Sequence, residues 1–427
     1  MSKLKKFDYF FLFLPVSVYY MFFLAINKPL KKTNVLLNAF FAYFLTLANP
    51  IVFLSTSQML NIRWIFIIFF PLLYALFYKI YINVNSIVLL PIISALFSAI
   101  VVATTPISII KFVSFAIPFY FFYEVIRENN IYLVKKVYLF IKTIFIITLP
   151  LIFFPSVGKF VNGTGFSGIL NHPQAFGIFI IVVLPFFLFF EKGIMRIFWI
   201  FLILYYAYAT ESRLSIFGSA FIVLLYIAYV NQRKLTLQRF LILFTLPITL
   251  FLLSVAFQNQ IISIIEKRSN TSSIEETFFA SRGFLIEKSL ENFYESPLFG
   301  IGFSVGRGNF DETTEATDFS LSYSIEKGNL YIAILEEQGV IGFAFFLIFI
   351  ILLYSSVLKK QNHISAFILT AILITNLGES TFFSMGGIGG LFWFLFCLTQ
   401  NTVLILKDTN AVDKNYSNVY SKIQIND

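Results

Sequence analysis

Long apolar runs separated by short polar stretches make up most of the chain. A helix that crosses a membrane needs about 20 mostly apolar residues, because the hydrocarbon core is roughly 30 Å thick. Runs of about this length recur thirteen times. They lie at residues 9–26, 36–54, 64–80, 86–104, 107–123, 132–154, 174–190, 194–210, 213–230, 239–257, 330–358, 363–378 and 385–406. The pattern predicts an all-α polytopic membrane protein with about 12–13 transmembrane helices.

Lysine and arginine residues collect at alternate ends of these runs. Because short cytoplasmic loops carry an excess of positive charge, we assign these clusters to the inside. They are Lys28 with Lys31 and Lys32, Lys79, Arg127 with Lys135 and Lys136, Lys192 with Arg196, Arg233 with Lys234 and Arg239, Lys359 with Lys360, and Lys407 with Lys414. The stretches 155–173, 209–213, 258–329 and 379–384 then face outward.

The first apolar run conflicts with this orientation. A span at 9–26 leaves Lys3, Lys5 and Lys6 outside, so either this run lies in the interface and there are twelve spans, or the charge rule fails there. The same region resembles a secretory signal. No small-residue cleavage site precedes Lys28, so we interpret it as mature sequence.

The longest polar stretch divides the chain into four predicted parts. They are an N-terminal transmembrane bundle at 1–257, a large outer loop at 258–329, C-terminal transmembrane helices at 330–406 and a cytoplasmic tail at 407–427. A loop of this length is usually functional, and we expect it to be partly folded.

One segment of the loop has the spacing of an amphipathic helix. Residues 281–294 predict such a helix, which ends at Ser296-Pro297. Its inward-facing side chains are expected to be Phe284, Leu285, Leu290 and Phe293.

The composition limits the kinds of ligand and partner that we expect for this chain. Only 12% of the residues are charged and 58% are hydrophobic, so lipid is the solvent for most of the chain. The net charge of +9 is dispersed over helix ends, which argues against a nucleic-acid partner. The single cysteine, Cys397, excludes an intrachain disulfide. With two histidines and no nucleotide-binding or metal-binding motif, we expect no metal and no cofactor.

Charged residues at the outer helix ends are the functional candidates, because ionisable groups are costly to keep at a membrane. They are Arg63, Arg213, Arg282, Arg307, Glu326, Lys327, Glu337 and Glu379. Arg213 lies in a tight hairpin, and the alternative is a snorkelling arginine paired with Glu211. Arg282 opens the loop helix, whose dipole favours an anionic ligand, and the alternative is a solvated arginine paired with a glutamate. His172 precedes a helix, and a lone histidine is more often a structural hydrogen-bonding residue than a catalyst.

Three sequence features resemble the bacterial O-antigen polymerase and ligase superfamily, over roughly residues 160–400. Ser281-Arg282 is followed by Pro-Leu-Phe-Gly-Ile-Gly at 297–302, and Asn-Leu-Tyr-Ile at 329–332 runs into Glu-Gln-Gly-Val-Ile-Gly at 337–342. The Ser212-Arg213 hairpin follows a glycine and Asn-His-Pro segment at 168–177.

The chain also departs from the family pattern. Ile286 and Ser289 replace the aromatic and alanine residues that often follow the Ser-Arg pair. Gly328 stands where many members, notably the ligases, have a histidine directly before the Asn-x-Tyr motif. The missing histidine favours a polymerase over a ligase.

The resemblance implies a glycosyltransferase that moves a glycan from undecaprenyl diphosphate to a sugar hydroxyl of another lipid-linked repeat unit. The site would lie on the outer, periplasmic face of the bacterial cytoplasmic (inner) membrane. Because the diphosphate gains charge, we predict that cations bind it. The predicted substrate-binding residues are Arg213, Arg282, Arg307, Lys327, Asn329 and Tyr331. The predicted general base is Glu326, followed by His172 and then by Glu337 or Glu379.

Partners and alternatives follow from the same reasoning. The expected partners are an undecaprenyl-diphosphate-linked oligosaccharide, membrane lipid, and a chain-length regulator and flippase of the same pathway. The nearest alternative is an O-antigen ligase that transfers the glycan to lipid A-core. A transporter or lipid-linked glycan flippase would place its charges along a path through the membrane centre. A structural or sensory protein would use the loop only to bind a partner.

Overall fold

The computed structural model describes residues 32–45, 47, 70–72, 74–76, 87–103, 106–126, 131–159, 165–232, 284–305, 328–385 and 387–400. These residues are mostly helical, and none of them forms a strand. The α-helices longer than one turn are α1 (Lys32–Leu45), α2 (Leu89–Phe97), α3 (Pro106–Phe121), α4 (Ile131–Thr148), α5 (Pro173–Phe190), α6 (Gly193–Ala209), α7 (Arg213–Gln232), α8 (Phe284–Glu295), α9 (Leu330–Lys359), α10 (His363–Gly378) and α11 (Ile388–Thr399). Short π-helices continue α2 and α3, at Ser98–Ala103 and Phe122–Ile126.

Five of the described helical stretches are long and apolar enough to cross a membrane. They are Ser108–Ile126, Leu133–Phe153, Pro173–Phe190, Arg213–Val230 and Leu330–Lys359. Shorter apolar helices occur at Leu89–Val102, Gly193–Ala209, His363–Gly378 and Ile388–Thr399. The prediction of an all-α polytopic membrane protein is confirmed. The runs at 9–26 and 239–257 and most of 64–80 lie outside the described residues, and the predicted number of spans is therefore not tested.

Helix α5 occupies the centre of the bundle. It packs against α6, α7 and α10, and most of its side chains are buried. His172 caps its N-terminus, and Pro173 takes the first helical position, where its fixed φ suits the helix and no N–H is required. Elsewhere the core is strongly aromatic. The rings of Phe119, Phe382 and Trp393 have centroids 4.7 to 6.1 Å apart.

Short connections bring alternate helix ends together on one side of the bundle, which we call the loop end. It comprises the N-termini of α5, α7 and α9, the C-termini of α6 and α10, and helix α8. The Phe166 N–H donates to the Ala209 carbonyl at the end of α6, over 2.8 Å. Leu214 at the start of α7 lies against Gly378 at the end of α10.

Helix α9 contains a kink at Gly339. This residue has φ 63° and ψ −168°, which is not helical and which favours glycine. The apolar run at 330–358 predicts one span, but residues 340–359 alone reach about 30 Å at 1.5 Å per residue, which is sufficient to cross. Glu337 therefore lies at the kink, whereas the sequence suggests an uninterrupted apolar helix. The ten or so residues before the kink belong to the loop end.

Helix α8 forms where the amphipathic pattern predicts it, at Phe284–Glu295, and it ends before Pro297. Its buried face differs from the prediction. Ser289 and Asn292 are 3% and 4% exposed, whereas Leu290 and Phe293 are only half-buried. Among the side chains of this helix that the structure describes, the most buried are thus polar, and Asn292 contacts the polar kink of α9.

Candidate functional site

The turn at 297–302 docks on the kink of α9 through its backbone. Four hydrogen bonds of 2.8 to 3.3 Å join the two segments in both directions. They run from the N–H of Ile301 to the carbonyl of Glu336, Gly302 to Glu337, Val340 to Pro297, and Ile341 to Leu298. The kink exposes backbone groups that a regular helix would satisfy internally, and the turn supplies their partners.

Two glycines allow this close approach. Gly300 has φ 73° and Gly339 has φ 63°, both in the left-handed region. A Cβ at Gly300 would overlap the backbone of Glu337, and a Cβ at Gly339 would overlap the backbone of Leu298. The turn at 297–302 and the kink at Gln338-Gly339 thus pack directly on each other, and we call this contact the junction.

Three consecutive polar side chains of α9 are buried at the junction. Glu336, Glu337 and Gln338 are 3%, 1% and 4% exposed. Asn292 Nδ2 donates to Glu336 Oε1 over 2.7 Å, which attaches α8 to the kink. Ser94 Oγ donates to Gln338 Oε1 over 2.5 Å. Buried polar groups are costly unless they are hydrogen-bonded, so these contacts make the junction specific.

Helix α2 completes the junction from its other side. Ser98 Oγ donates to the Glu337 carbonyl over 2.7 Å. The rings of Phe97 and Phe299 have centroids 5.6 Å apart. The turn at 297–302 is thereby held between α2 and α9 and is an integral part of the fold.

Asn329 and Tyr331, both predicted to bind substrate, connect α9 with α10. Asn329 Oδ1 accepts the N–H groups of Tyr331 and Ile332 over 2.9 and 3.2 Å, which caps the N-terminus of α9. Its Nδ2 donates to the Leu377 carbonyl over 3.0 Å. The Tyr331 hydroxyl donates to the Leu373 carbonyl, also over 3.0 Å. These contacts give both residues a structural role, and substrate binding by them stays a prediction.

Arg213 is the first residue of α7, so its side chain adds to the positive end of that helix dipole. Ser215 Oγ donates to the Gly177 carbonyl over 3.2 Å, which fixes α7 against α5 beside this end. Lys159 Nζ lies 4.0 Å from Glu211 Oε1, so the glutamate beside Arg213 has a lysine partner. The start of α7 is therefore held against α5.

His172 has a structural contact at the same end. Its Nδ1 accepts the backbone N–H of Gln174 over 3.2 Å. A neutral imidazole that accepts at Nδ1 carries its proton on Nε2. This arrangement fits a helix cap, and the alternative role as a base stays a prediction.

Sequence reasoning missed Lys111 in α3. The residue is 8% exposed, and its Nζ lies 3.5 Å from the Ser304 carbonyl. One turn earlier, Ser108 Oγ donates to the Phe303 carbonyl over 2.6 Å. The available signal was a lysine inside the apolar run 107–123, where a charge is costly.

Most of the remaining candidate residues cannot be located in the structure. Arg63, Arg282, Arg307, Glu326 and Lys327 lie outside the described residues. Glu379 follows α10 at the loop end and is its C-terminal capping residue. Among the described residues, no group of three His, Cys, Asp or Glu side chains has the geometry to hold a metal ion.

Comparison with known proteins finds one family model that is similar to part of this chain. Residues 198–347 match the family model described as O-antigen ligase, a segment that runs from α6 to the middle of α9. It includes Arg213, α8, the turn at 297–302 and the kink. No curated protein matches the chain. Residues 198–347 are thus similar to the O-antigen ligase family, which supports the resemblance of the chain to the O-antigen polymerase and ligase superfamily.

Proposed function

We propose that the protein polymerises undecaprenyl-diphosphate-linked oligosaccharide repeat units into O-antigen or a similar surface polysaccharide. One observation carries the proposal. Within the family-matched segment, α8 and its turn are fixed to the kink of α9, and the start of α9 and the start of α7 both contact the C-terminal end of α10. A fixed loop at a helix-bundle end favours chemistry there over passage of a substrate through the bundle.

The distribution of charge supports an outward-facing loop end. Lys135, Lys136, Lys192, Arg196 and Lys359 lie at the opposite ends of their helices, and the positive-inside rule assigns that side to the cytoplasm. The loop end would then face the periplasm of a bacterial inner membrane. A chain-length regulator and a flippase of the same pathway are the partners proposed there.

The proposed reaction joins an acceptor sugar hydroxyl to the anomeric carbon of the donor glycan. A new C–O bond forms while the bond from that carbon to the diphosphate oxygen breaks, and the diphosphate leaves with the bonding electrons. Arginine suits a leaving group that gains negative charge, because its planar fork binds two phosphate oxygens. We assign this role to Arg213 and Arg282, with Arg307 third and Lys327 as a further candidate.

The proton of the acceptor hydroxyl goes to a base, for which Glu326 is our first choice. His172 and Glu337 are weaker choices on the contacts described above. His172 uses Nδ1 to cap a helix, and Glu337 is 1% exposed at the junction. These contacts favour positioning roles for both residues.

Position 328 supports a polymerase over a ligase. Gly328 has φ 69°, in the left-handed region that glycine adopts without strain. Many ligases have a histidine at this position. This chain lacks that side chain, and its backbone conformation here suits glycine. The rest of the site is compatible with a ligase as well.

The experiment is deletion of the gene in its host, followed by gel analysis of the surface polysaccharide. Complementation would use the wild type, Arg213→Ala and Arg282→Ala. Lys359→Ala is the matched control, because it removes an exposed cation at the opposite end. We expect a single-repeat band in the deletion strain and in both arginine variants, and a full ladder with wild type and control.

The other outcomes separate the alternatives. Polymer that still forms but stays on its lipid carrier would identify a ligase. A normal ladder in the deletion strain would exclude both enzymes and favour a transporter or a structural protein.

A further inference from the structure

The turn at 297–302 exposes apolar side chains, although it belongs to a loop that is otherwise rich in charge. Leu298 is 59% exposed and Phe299 is 43% exposed. The sequence contains no ionisable residue between Glu295 and Arg307. Single exposed apolar residues are ordinary, whereas a continuous apolar patch marks contact with a partner or a membrane. The neighbours of Leu298 and Phe299 distinguish these two cases.

The apolar surface of the turn continues onto α2. The rings of Phe97 and Phe299 have centroids 5.6 Å apart, and Phe97 is itself exposed. Val101, four residues later in the π-helix that continues α2, is 58% exposed. The whole run 86–104 contains no ionisable residue. Helix α2 therefore has an exposed, uncharged surface beside the turn.

The direction of α2 indicates how deep the turn lies. Ser94 lies against Gly342, and Ser98 Oγ donates to the Glu337 carbonyl. Helix α2 is therefore antiparallel to α9 and runs toward the loop end. Val101 lies one helical turn, about 5 Å, nearer to the loop end than the ring contact with the turn. Because Val101 still exposes an apolar side chain there, the turn lies below the upper limit of this apolar surface.

The turn also meets the membrane-spanning part of α9. The Pro297 and Leu298 carbonyls accept the N–H groups of Val340 and Ile341. These two residues begin the part of α9 after the kink, which is long enough to cross a membrane, and their side chains are exposed. Leu298 thus lies beside the first turn of a spanning segment.

The backbone of the turn is suited to a lipid environment. Irregular backbone at membrane depth needs partners within the protein, because hydrocarbon offers no hydrogen bonds. The Gly300 N–H donates to the Ser296 carbonyl over 2.8 Å, and the N–H groups of Ile301 and Gly302 donate to carbonyls of α9. The carbonyl of the next residue, Phe303, accepts a hydrogen bond from α3. The protein thereby satisfies polar groups that lipid would leave unpaired.

We propose that Leu298 and Phe299 insert into the hydrocarbon of the leaflet on the loop-end side. The turn at 297–302 is then a re-entrant contact with bilayer lipid and not part of the aqueous loop. Acyl chains are the partner that fits, because the patch is uncharged and continuous with the exposed apolar surfaces of α2 and α9. Tyr294, exposed at the end of α8, then takes the interfacial position that tyrosine favours. This inference does not depend on the reaction proposed above.

The test places a nitroxide spin label on the turn of the full-length protein in vesicles of equal parts phosphatidylethanolamine and phosphatidylglycerol. Labels are attached by cysteine substitution in a Cys397→Ala background, which removes the buried native thiol. Oxygen concentrates in hydrocarbon and a polar nickel chelate stays in water. The relaxation of the label by each agent therefore reports whether it contacts lipid or water.

Two matched positions calibrate the measurement. Ile351→Cys is the lipid reference, because Ile351 is 62% exposed in the spanning part of α9. Glu291→Cys is the water reference, because the Glu291 side chain is 59% exposed on α8. We expect the Leu298→Cys label to be relaxed by oxygen and protected from nickel, as at Ile351, and the Glu291→Cys label to show the reverse. Leu298 is exposed, so its variant should keep the unfolding temperature of the background.

Three results would overturn the proposal. One is nickel access at Leu298→Cys equal to that at Glu291→Cys. Another is protection from both agents, which would mean that a protein surface covers the turn. The third is spin–spin broadening between labels at Leu298, which would identify a second copy of the chain as the partner. If Leu298→Cys does not fold, Val101→Cys makes the same test, since water at Val101 would exclude lipid around the turn.

Discussion

Asn292 Nδ2 donates to Glu336 Oε1 over 2.7 Å, and both side chains are at least 96% buried. This bond attaches the loop helix α8 to the kink of α9. Arg282 lies two residues before the start of α8 in the sequence. The bond therefore positions the helix that follows one of the proposed substrate-binding arginines.

The Asn292–Glu336 bond can be tested by exchange of donor and acceptor. Asn292→Ala should cost about 1–3 kcal/mol, because a buried carboxylate loses its donor. Asn292→Asp should cost more, because two carboxyl groups then meet. The double variant Asn292→Asp with Glu336→Gln restores a donor–acceptor pair, so its unfolding temperature and polymer yield should recover toward wild type. A double variant no better than Asn292→Asp alone would contradict the positioning role.

Gly300 and Gly339 should not tolerate alanine. Each substitution places a Cβ against the backbone of the facing segment, and we expect a cost of at least about 3 kcal/mol. Gly193 is the matched control, because it has φ 55° but nothing lies within 4 Å of the position that a Cβ would take. Gly193→Ala should cost about 1 kcal/mol, the backbone strain alone. Unfolding temperatures of the three variants in one detergent make the comparison, and equal losses would refute the docked junction.

Glu191 should make stability depend on pH. Burial alone would raise the pKa of its carboxyl group, but hydrogen bonds from Lys142 and Tyr138 hold the pKa below its ordinary value. A carboxyl group with a lowered pKa in the folded state stabilises the protein above the unfolded-state pKa, roughly 4.3. That stability is lost as the pH falls through the lower, folded-state pKa.

The measurement is the unfolding temperature from neutral pH down to the acid range. Glu191→Gln should lower the neutral-pH unfolding temperature and reduce its further decline in acid. An unchanged slope in Glu191→Gln would show that other carboxyl groups account for the pH dependence.

We also predict that glycan transfer does not need a metal ion. The proposed charges for the diphosphate come from arginine and lysine side chains, which replace the usual magnesium. Excess chelator should therefore leave the rate of polymer formation unchanged. A loss of activity that a divalent cation restores would contradict this prediction.

The sequence predicted the helices that consist of one uninterrupted apolar run. Helices α5, α6, α7 and α10 begin and end within about two residues of the predicted bounds, because polar or charged residues flank each run. The predicted start of α8, at residues 281–283, lies outside the described residues, but its end before Ser296-Pro297 was predicted, since proline cannot continue a helix.

The kink and the polar junction could not be predicted in the same way. Glu336, Glu337 and Gln338 interrupt the apolar run just before Gly339, but the residues on both sides are apolar, so this interruption does not show that α9 changes direction there. A Gly inside a helical pattern is ambiguous without knowledge of what packs on it. The buried polar face of α8 follows from its partner, since Asn292 is favourable inside only where Glu336 receives its hydrogen bond.

Reconstituted glycan transfer tests the central claim most directly. Purified protein would receive a fluorescent undecaprenyl-diphosphate-linked repeat unit from its host, and the products would be separated by length. We predict a ladder of longer lipid-linked products with the wild type and Lys359→Ala, and a rate about 100-fold lower with Arg213→Ala. Absence of any longer product with the wild type, or a wild-type rate with Arg213→Ala, would contradict a polymerase site at the loop end.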